Sequence, residues 1–204
     1  MAQLDVGDAA PDFELERDGG ARVKLSSLRG STVVLFFYPK DNTPGCTLEA
    51  RGFSQAATRF ASAGVKVFGV SRDSVASHCR FRDKYGLAVP LLSDPSLDVH
   101  RAYGVWGEKM MYGRKVEGTV RSTFVVGPDG ALKAVHRGVK VDGHVDKLLA
   151  ALTPDATPLG PLTDPPAAKA PAATSKPAAT KKAPAVKKTP AAKPAAKKKP
   201  AAKS

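Results

Sequence analysis

Two apolar runs, STVVLFFY at 31–38 and VKVFGVS at 65–71, constrain the fold more than any other feature of the chain. Each is a near-continuous string of strand-forming residues without the alternation that marks a solvent face, the pattern of a strand covered on both sides. Between them, residues 46–63 repeat apolar side chains at helical spacing (Leu48, Phe53, Ala56, Ala57, Phe60), and Gly64 stands where such a helix ends. Buried strands that alternate with helices call for a layered α/β arrangement.

The remaining segments fill in that plan. DFELER and ARVKLSSL read as a hairpin across Asp18-Gly19-Gly20. SVASHCRFRDKYG reads as a helix with Ser74 as N-cap and Gly86 at its end. VPLLSD is a short strand and SLDVHRAYGV a short helix. MMYGRKVEG is irregular or a strand edge, and Trp106, Met110, Met111 and Tyr112 around it serve either a pocket rim, a subunit contact or the core. RSTFVVGPDGALKAVHRG is a hairpin with Pro128-Asp129-Gly130 at its tip, and DGHVDKLLAAL is a final amphipathic helix. The order β-β-β-α-β-α-β-α-β-β-α with a late hairpin predicts a mixed sheet flanked by helices.

Composition divides the chain at about residue 152. Residues 153–204 are almost all Ala, Pro, Lys and Thr, without Phe, Tyr, Trp, Ile, Met or Cys. Such a segment cannot bury enough apolar surface to offset its ordering entropy, so a disordered tail is expected after one domain spanning 1–152. Of the net charge of +13, +9 lies in the tail, which carries 11 Lys against Asp155 and Asp164, and +4 in the rest. The two cysteines do not form a secreted disulfide scaffold. The first residues, MAQLDVGDAAPDFEL, lack the basic and apolar regions of a signal peptide, and no apolar run reaches the length of a membrane span. The expectation is a cytoplasmic protein.

Chemistry concentrates at YPKDNTPGCTLEA, 38–50, which holds Cys46. A strand gives way to a loop, and the loop runs into a helix. The first turn of a helix presents unpaired N–H groups and the positive end of its dipole, both of which favour a thiolate, the nucleophilic form of cysteine. Pro44 fits the helix start because its missing N–H would be unpaired there. The Thr43 hydroxyl stands within reach of the sulfur or of a bound oxygen. The bland alternative for Cys46 is a small buried hydrophobe.

The stretch YPKDNTPGCT resembles the active-site segment of peroxiredoxins, Pro-x-x-x-Thr-x-x-Cys, with Pro39, Thr43 and Cys46 in place. Its flanks, together with GDAAPDFEL, VFGVSRDSVASH and RSTFVVGPDG, are similar to the bacterioferritin-comigratory, or Q-type, subfamily over residues 4 to about 151. The resemblance implies a thioredoxin fold and reduction of hydroperoxides, hydrogen peroxide and organic ones alike, through a sulfenic acid at Cys46. Thr43 would hydrogen-bond the sulfur or the peroxide, and Pro39 would shield the site from water. Arg121 of RSTF would approach from a later strand. A guanidinium stays charged and offers a donor fork, so beside the sulfur it stabilises a thiolate and the charge moving onto the leaving oxygen. The resemblance also implies a monomer reduced by thioredoxin or a similar thiol, with no cofactor.

Many relatives carry a resolving cysteine at the positions occupied here by Arg51 or Arg82. Cys79, three residues before Arg82, is the candidate resolving thiol. A bridge needs Cα atoms about 4.4–6.8 Å apart, so joining it to Cys46 requires local unfolding around both. The histidines show no metal-ligand spacing with the cysteines, and Cys-x-x-Cys, phosphate-loop and dinucleotide motifs are missing. The tail resembles linker-histone and bacterial histone-like tails in composition. Lys181, Lys182, Lys187, Lys188, Lys197, Lys198 and Lys199 are its candidate polyanion contacts, giving salt-sensitive, sequence-independent DNA binding and a place near the nucleoid. A non-enzymatic, DNA-associated redox sensor is the alternative reading.

Overall fold

The computed structural model describes residues 4–111, 114–153 and 159, and between 109 and 116 the backbone only. The tail lysines named above and Tyr112 lie outside the described residues. Strand β3 (Thr32–Phe37) takes up the first apolar run, and Val33 through Tyr38 are buried. Successive side chains of a strand point to opposite faces. Val34, Phe36 and Tyr38 therefore enter one core, with Phe53, Phe60, Phe81, Leu148 and Leu149 of the helices. Val33, Leu35 and Phe37 enter a second core, with Phe13, Leu25, Val99 and Tyr103. One strand furnishes both cores, which is why its sequence does not alternate.

Around β3 the sheet has the order β2-β1-β5-β4-β3-β8-β9. Strands β1 (Glu14–Arg17) and β2 (Arg22–Lys24) form the expected hairpin. Strands β4 (Val65–Ser71) and β5 (Leu91–Ser93) run parallel to β3 and to each other in turn. Strands β8 (Ser122–Val126) and β9 (Leu132–Arg137) form the late antiparallel hairpin. Helices α1 (Pro44–Ser62), α2 (Val75–Tyr85) and α4 (His144–Leu152) cover one face. A 3-10 turn (Leu25–Leu28) and α3 (Asp98–Ala102) cover the other. Gly69 in β4 is a close-approach position: a Cβ there would stand 2.7 Å from Phe36 and 2.8 Å from Leu91.

Two details depart from the sequence reading. The stretch read as irregular is a separate two-stranded sheet, β6 (Trp106–Met111) with β7 (Arg114–Thr119). Its glycines and charged residues hid the strand pattern. In α1, Leu48 is exposed, and the buried stripe runs Cys46, Glu49, Ala50, Phe53, Ala56, Phe60. A carboxylate thus occupies a core position where an apolar residue was expected. The predicted caps hold: Ser74 accepts from Ser77 N–H, and Gly86 closes α2 with φ +59°. Beyond α4, Leu159 packs against the first core and its N–H donates to Asp146 (2.7 Å). Among the described residues no helix is long and apolar enough to cross a membrane.

Candidate active site

Cys46 is the third residue of α1 and only 2% exposed. Thr43 precedes the helix in an extended conformation, and its carbonyl accepts the N–H of Thr47 at 2.8 Å. The Thr43 hydroxyl donates to the Lys40 carbonyl (3.1 Å), closing the loop on itself, rather than to the sulfur. Pro39 is half-buried where β3 ends.

Sheet register delivers the arginine. Phe37 of β3 pairs with Ser122 of β8, so Arg121 lies level with the end of β3, where the loop to Cys46 begins. Its Nη2 donates to Cys46 Sγ at 3.3 Å. A Cβ on Gly45 would stand 3.4 Å from the same nitrogen, so the guanidinium lies against the first turn of α1. Its Nη1 donates to Glu49 Oε2, forming an ion pair with a fully buried carboxylate. Burial pulls the guanidinium down, and Glu49 and the Cys46 sulfur more than offset it, so the arginine is held above its ordinary value. Its two nitrogens thus bridge the nucleophile to an acid one helical turn away.

Glu49 is the residue that motif reading missed. The signal was its place three residues after Cys46 in the stripe 46-49-50-53, on one face of a helix. Its second oxygen, Oε1, is buried without a hydrogen-bond partner. Burial pushes the carboxyl up to about 7 against the pull of Arg121. A carboxyl raised in this way favours folding most below its unfolded value and loses that contribution as pH rises through about 7. His144, whose Nε2 lies 2.9 Å from the Thr123 hydroxyl, acts in the opposite sense. Burial, then the charges of His136, Lys147 and Arg121, pull it down to about 4, so its contribution is lost as pH falls from 6.5 through that value. Glu49→Gln removes the first dependence and keeps the second. Urea unfolding is expected to show the variant gaining stability relative to wild type between pH 5 and pH 8; parallel changes in the two proteins would contradict this.

Cys79 is a free, half-buried thiol on α2, beside His78 and near Phe81, which face the core. Arg82, where many relatives are expected to carry a second cysteine, instead fastens α2 to the β1–β2 turn. It pairs with buried Asp18 and donates to the Leu87 carbonyl (3.0 Å). Three of the histidines are structural in placement: His78, His100 and His144 are buried and partnered within the sheet and its helices.

Comparison with known proteins places this geometry. The AhpC/TSA family model matches residues 6–135. The putative peroxiredoxin bcp of Coxiella burnetii is 45% identical over 149 residues, 73% of this chain and 99% of that protein. Peroxiredoxin Bcp of Xanthomonas campestris is 46% identical over 151 residues, 74% of this chain and 94% of that protein. Among solved structures, the Xanthomonas campestris bacterioferritin comigratory protein superposes with a TM-score of 0.68 at 45% identity, covering 74% of this chain and 97% of that one. BcpB of Mycobacterium tuberculosis gives 0.65 at 36% identity, covering 74% and 97%. The mixed sheet flanked by helices is thus thioredoxin-like, as in those structures. By motif order, site geometry and relationship, the chain belongs to the AhpC/TSA family, as a peroxiredoxin of the Bcp or Q type.

Proposed function

We propose that this chain reduces hydroperoxides at Cys46 and is regenerated by a thiol, thioredoxin being the class of reductant expected. The observation that carries the reading is the 3.3 Å contact between Arg121 Nη2 and Cys46 Sγ in a buried first turn of helix. The Cys46 thiolate attacks the distal peroxide oxygen, the O–O bond breaks, and the sulfur becomes a sulfenic acid while water or an alcohol leaves. Arg121 holds the sulfur and the oxygens in line and stabilises the charge passing to the leaving oxygen. Pro39 limits water at the site, and Thr43 shapes the loop on which peroxide is received. The Xanthomonas relative was studied for reduction of alkyl peroxides, which supports organic hydroperoxides as substrates for this chain.

Intact mass after one equivalent of hydrogen peroxide tests the reading. Addition of one oxygen, or loss of two hydrogens, supports it, and an unchanged mass overturns it. Cys79 is the candidate resolving thiol within the chain. Wild type losing two hydrogens while Cys79→Ser gains one oxygen assigns it that role, whereas an added oxygen retained by wild type assigns resolution to an external thiol.

The Lys-rich tail, including Lys181, Lys182 and Lys197 to Lys199, is read as a polyanion contact that keeps the peroxidase near DNA. In mobility shifts, full-length protein is expected to retard duplex DNA at low salt and the 1–152 truncation to fail. Equal retardation by the two, or none by either at about 0.1 M salt, where screening is still moderate, would sink the tail reading.

A further inference from the structure

At 2% exposure, the Cys46 sulfur is out of reach of Cys79 or any external thiol while residues 38–46 keep their positions. A buried polar cluster keeps them there. Asp41, in the loop between Pro39 and Thr43, accepts from the Tyr38 hydroxyl (2.8 Å) and the Ser77 hydroxyl (2.7 Å), and faces His78 Nδ1 at 3.0 Å. Its own N–H donates to Asp73 (2.9 Å), which also accepts from the Ser71 hydroxyl. The second nitrogen of His78, Nε2, faces the Leu92 carbonyl of β5 at 3.2 Å. Neither a carboxylate nor a carbonyl can donate, so the ring fills both contacts only when it carries two protons, which makes Asp41–His78 a buried ion pair. Burial pushes the Asp41 carboxyl up, and His78, Ser77 and Tyr38 together hold it below its ordinary value.

At the far end of α2, Lys84 Nζ and the Tyr85 hydroxyl both donate to Asn42 Oδ1 (2.9 and 2.8 Å). The loop and the helix are otherwise loosely apposed. A cavity of about 390 Å³ lies along their junction, lined among others by Lys40, Asp41, Asn42, Ser77, Phe81 and Lys84. Polar contacts at the two ends of α2, rather than continuous packing, join it to the loop that leads to Cys46.

We propose that the Asp41–His78–Ser77 cluster is a latch between α2 and the peroxidatic loop, and that its release sets how fast oxidised Cys46 meets a resolving thiol. This rests on the peroxidase reading above. Two reactions compete for the sulfenic acid. In resolution, a thiol sulfur attacks Cys46, an S–S bond forms and the S–O bond breaks. The oxygen leaves as water with the thiol proton, so Cys46 is reduced and the thiol oxidised. In overoxidation, a second hydroperoxide transfers an oxygen to the sulfur, its O–O bond breaks, and a sulfinic acid forms with release of water or alcohol. A thiol attached to a protein or to α2 requires the latch open. A small peroxide uses the closed site that served the first attack. Loosening the latch therefore favours resolution at the expense of overoxidation.

Ser77→Ala removes one donor and no charge; Asp41→Asn removes the ion pair at equal size. The readout is the fraction of Cys46 converted to sulfinic acid, by mass spectrometry, over a series of hydrogen peroxide concentrations during turnover with dithiothreitol. Both variants are expected to need several-fold more peroxide than wild type for the same sulfinic fraction, Asp41→Asn more than Ser77→Ala, with no gain in the rate of the first oxidation. Leu132→Ala, in the opposite core, weakens the fold without touching the latch and is expected to leave that fraction unchanged. Wild-type sulfinic fractions in both latch variants, or an equal shift in Leu132→Ala, overturn the latch while leaving the peroxidase intact. A wild type that forms neither sulfenic nor sulfinic acid overturns both.

Discussion

Cys46→Ser is expected to abolish peroxide consumption while leaving the fold in place. The attacking species is a thiolate, and a serine hydroxyl remains protonated in the same setting, so the step loses its nucleophile rather than a fraction of its rate. The structural cost is small because oxygen for sulfur is a minor change of volume, and the hydroxyl can still accept from Arg121, which keeps its ion pair with Glu49. Peroxide consumption with dithiothreitol, followed beside a thermal unfolding curve, checks both halves. Retained consumption in a folded Cys46→Ser protein would move the chemistry to another residue.

Arg121→Met is expected to lower the second-order rate constant for Cys46 oxidation by about 10²–10³, the cost of removing one preorganised donor from a developing charge. The same change should be felt in stability, since it leaves Glu49 buried without its counter-charge. Breaking a buried pair costs about 3–5 kcal/mol when the remaining group stays charged. Glu49 has an escape, because its carboxyl already stands at about 7 with the arginine present and can take up a proton once it is gone. The loss should thus be greatest above pH 7 and should shrink in acid. Arg121→Met combined with Glu49→Gln is expected to recover stability at pH 8 without recovering the rate, which separates the two duties of the guanidinium. Arg121→Lys keeps a charge but not the fork, and one ammonium cannot reproduce two directed contacts to Glu49 and Cys46. Stopped-flow oxidation and urea unfolding at two pH values provide the readouts; a double variant that regains the rate would refute the assignment.

Much of the fold was legible because hydrophobic pattern and turn chemistry agree in it. β3 and β4 declare themselves as unbroken apolar runs, Ser74 and Gly86 bracket α2, and Gly130 marks the late hairpin. The β6–β7 hairpin was not legible, because WGEKMM and RKVEGT carry no face of consistent polarity. Within the site, the motif pointed to Cys46, and β8 indeed brings Arg121 to it. Glu49 was hidden by the rule that acids belong outside, a rule that yields when an arginine is buried opposite. Asp41 and His78 were hidden for a different reason. Their partnership spans 37 residues and exists only after α2 packs against the loop, so no local spacing announces it. Thr43 shows the reverse limit: the motif located it, but only the extended backbone before α1 reveals that its hydroxyl turns toward Lys40.

The sheet register has a consequence for the life of the chain before it is complete. Cys46 and Arg121 are 75 residues apart in sequence, and only the pairing of β8 with β3 sets the guanidinium beside the sulfur. During synthesis the helix bearing Cys46 emerges long before β8 does. Until that strand docks, the thiol lacks the partner that directs peroxide to it. Nascent or partly unfolded protein therefore carries a blunt cysteine, little drawn into oxidation or stray cross-links, and reactivity arrives as the mark of a finished fold.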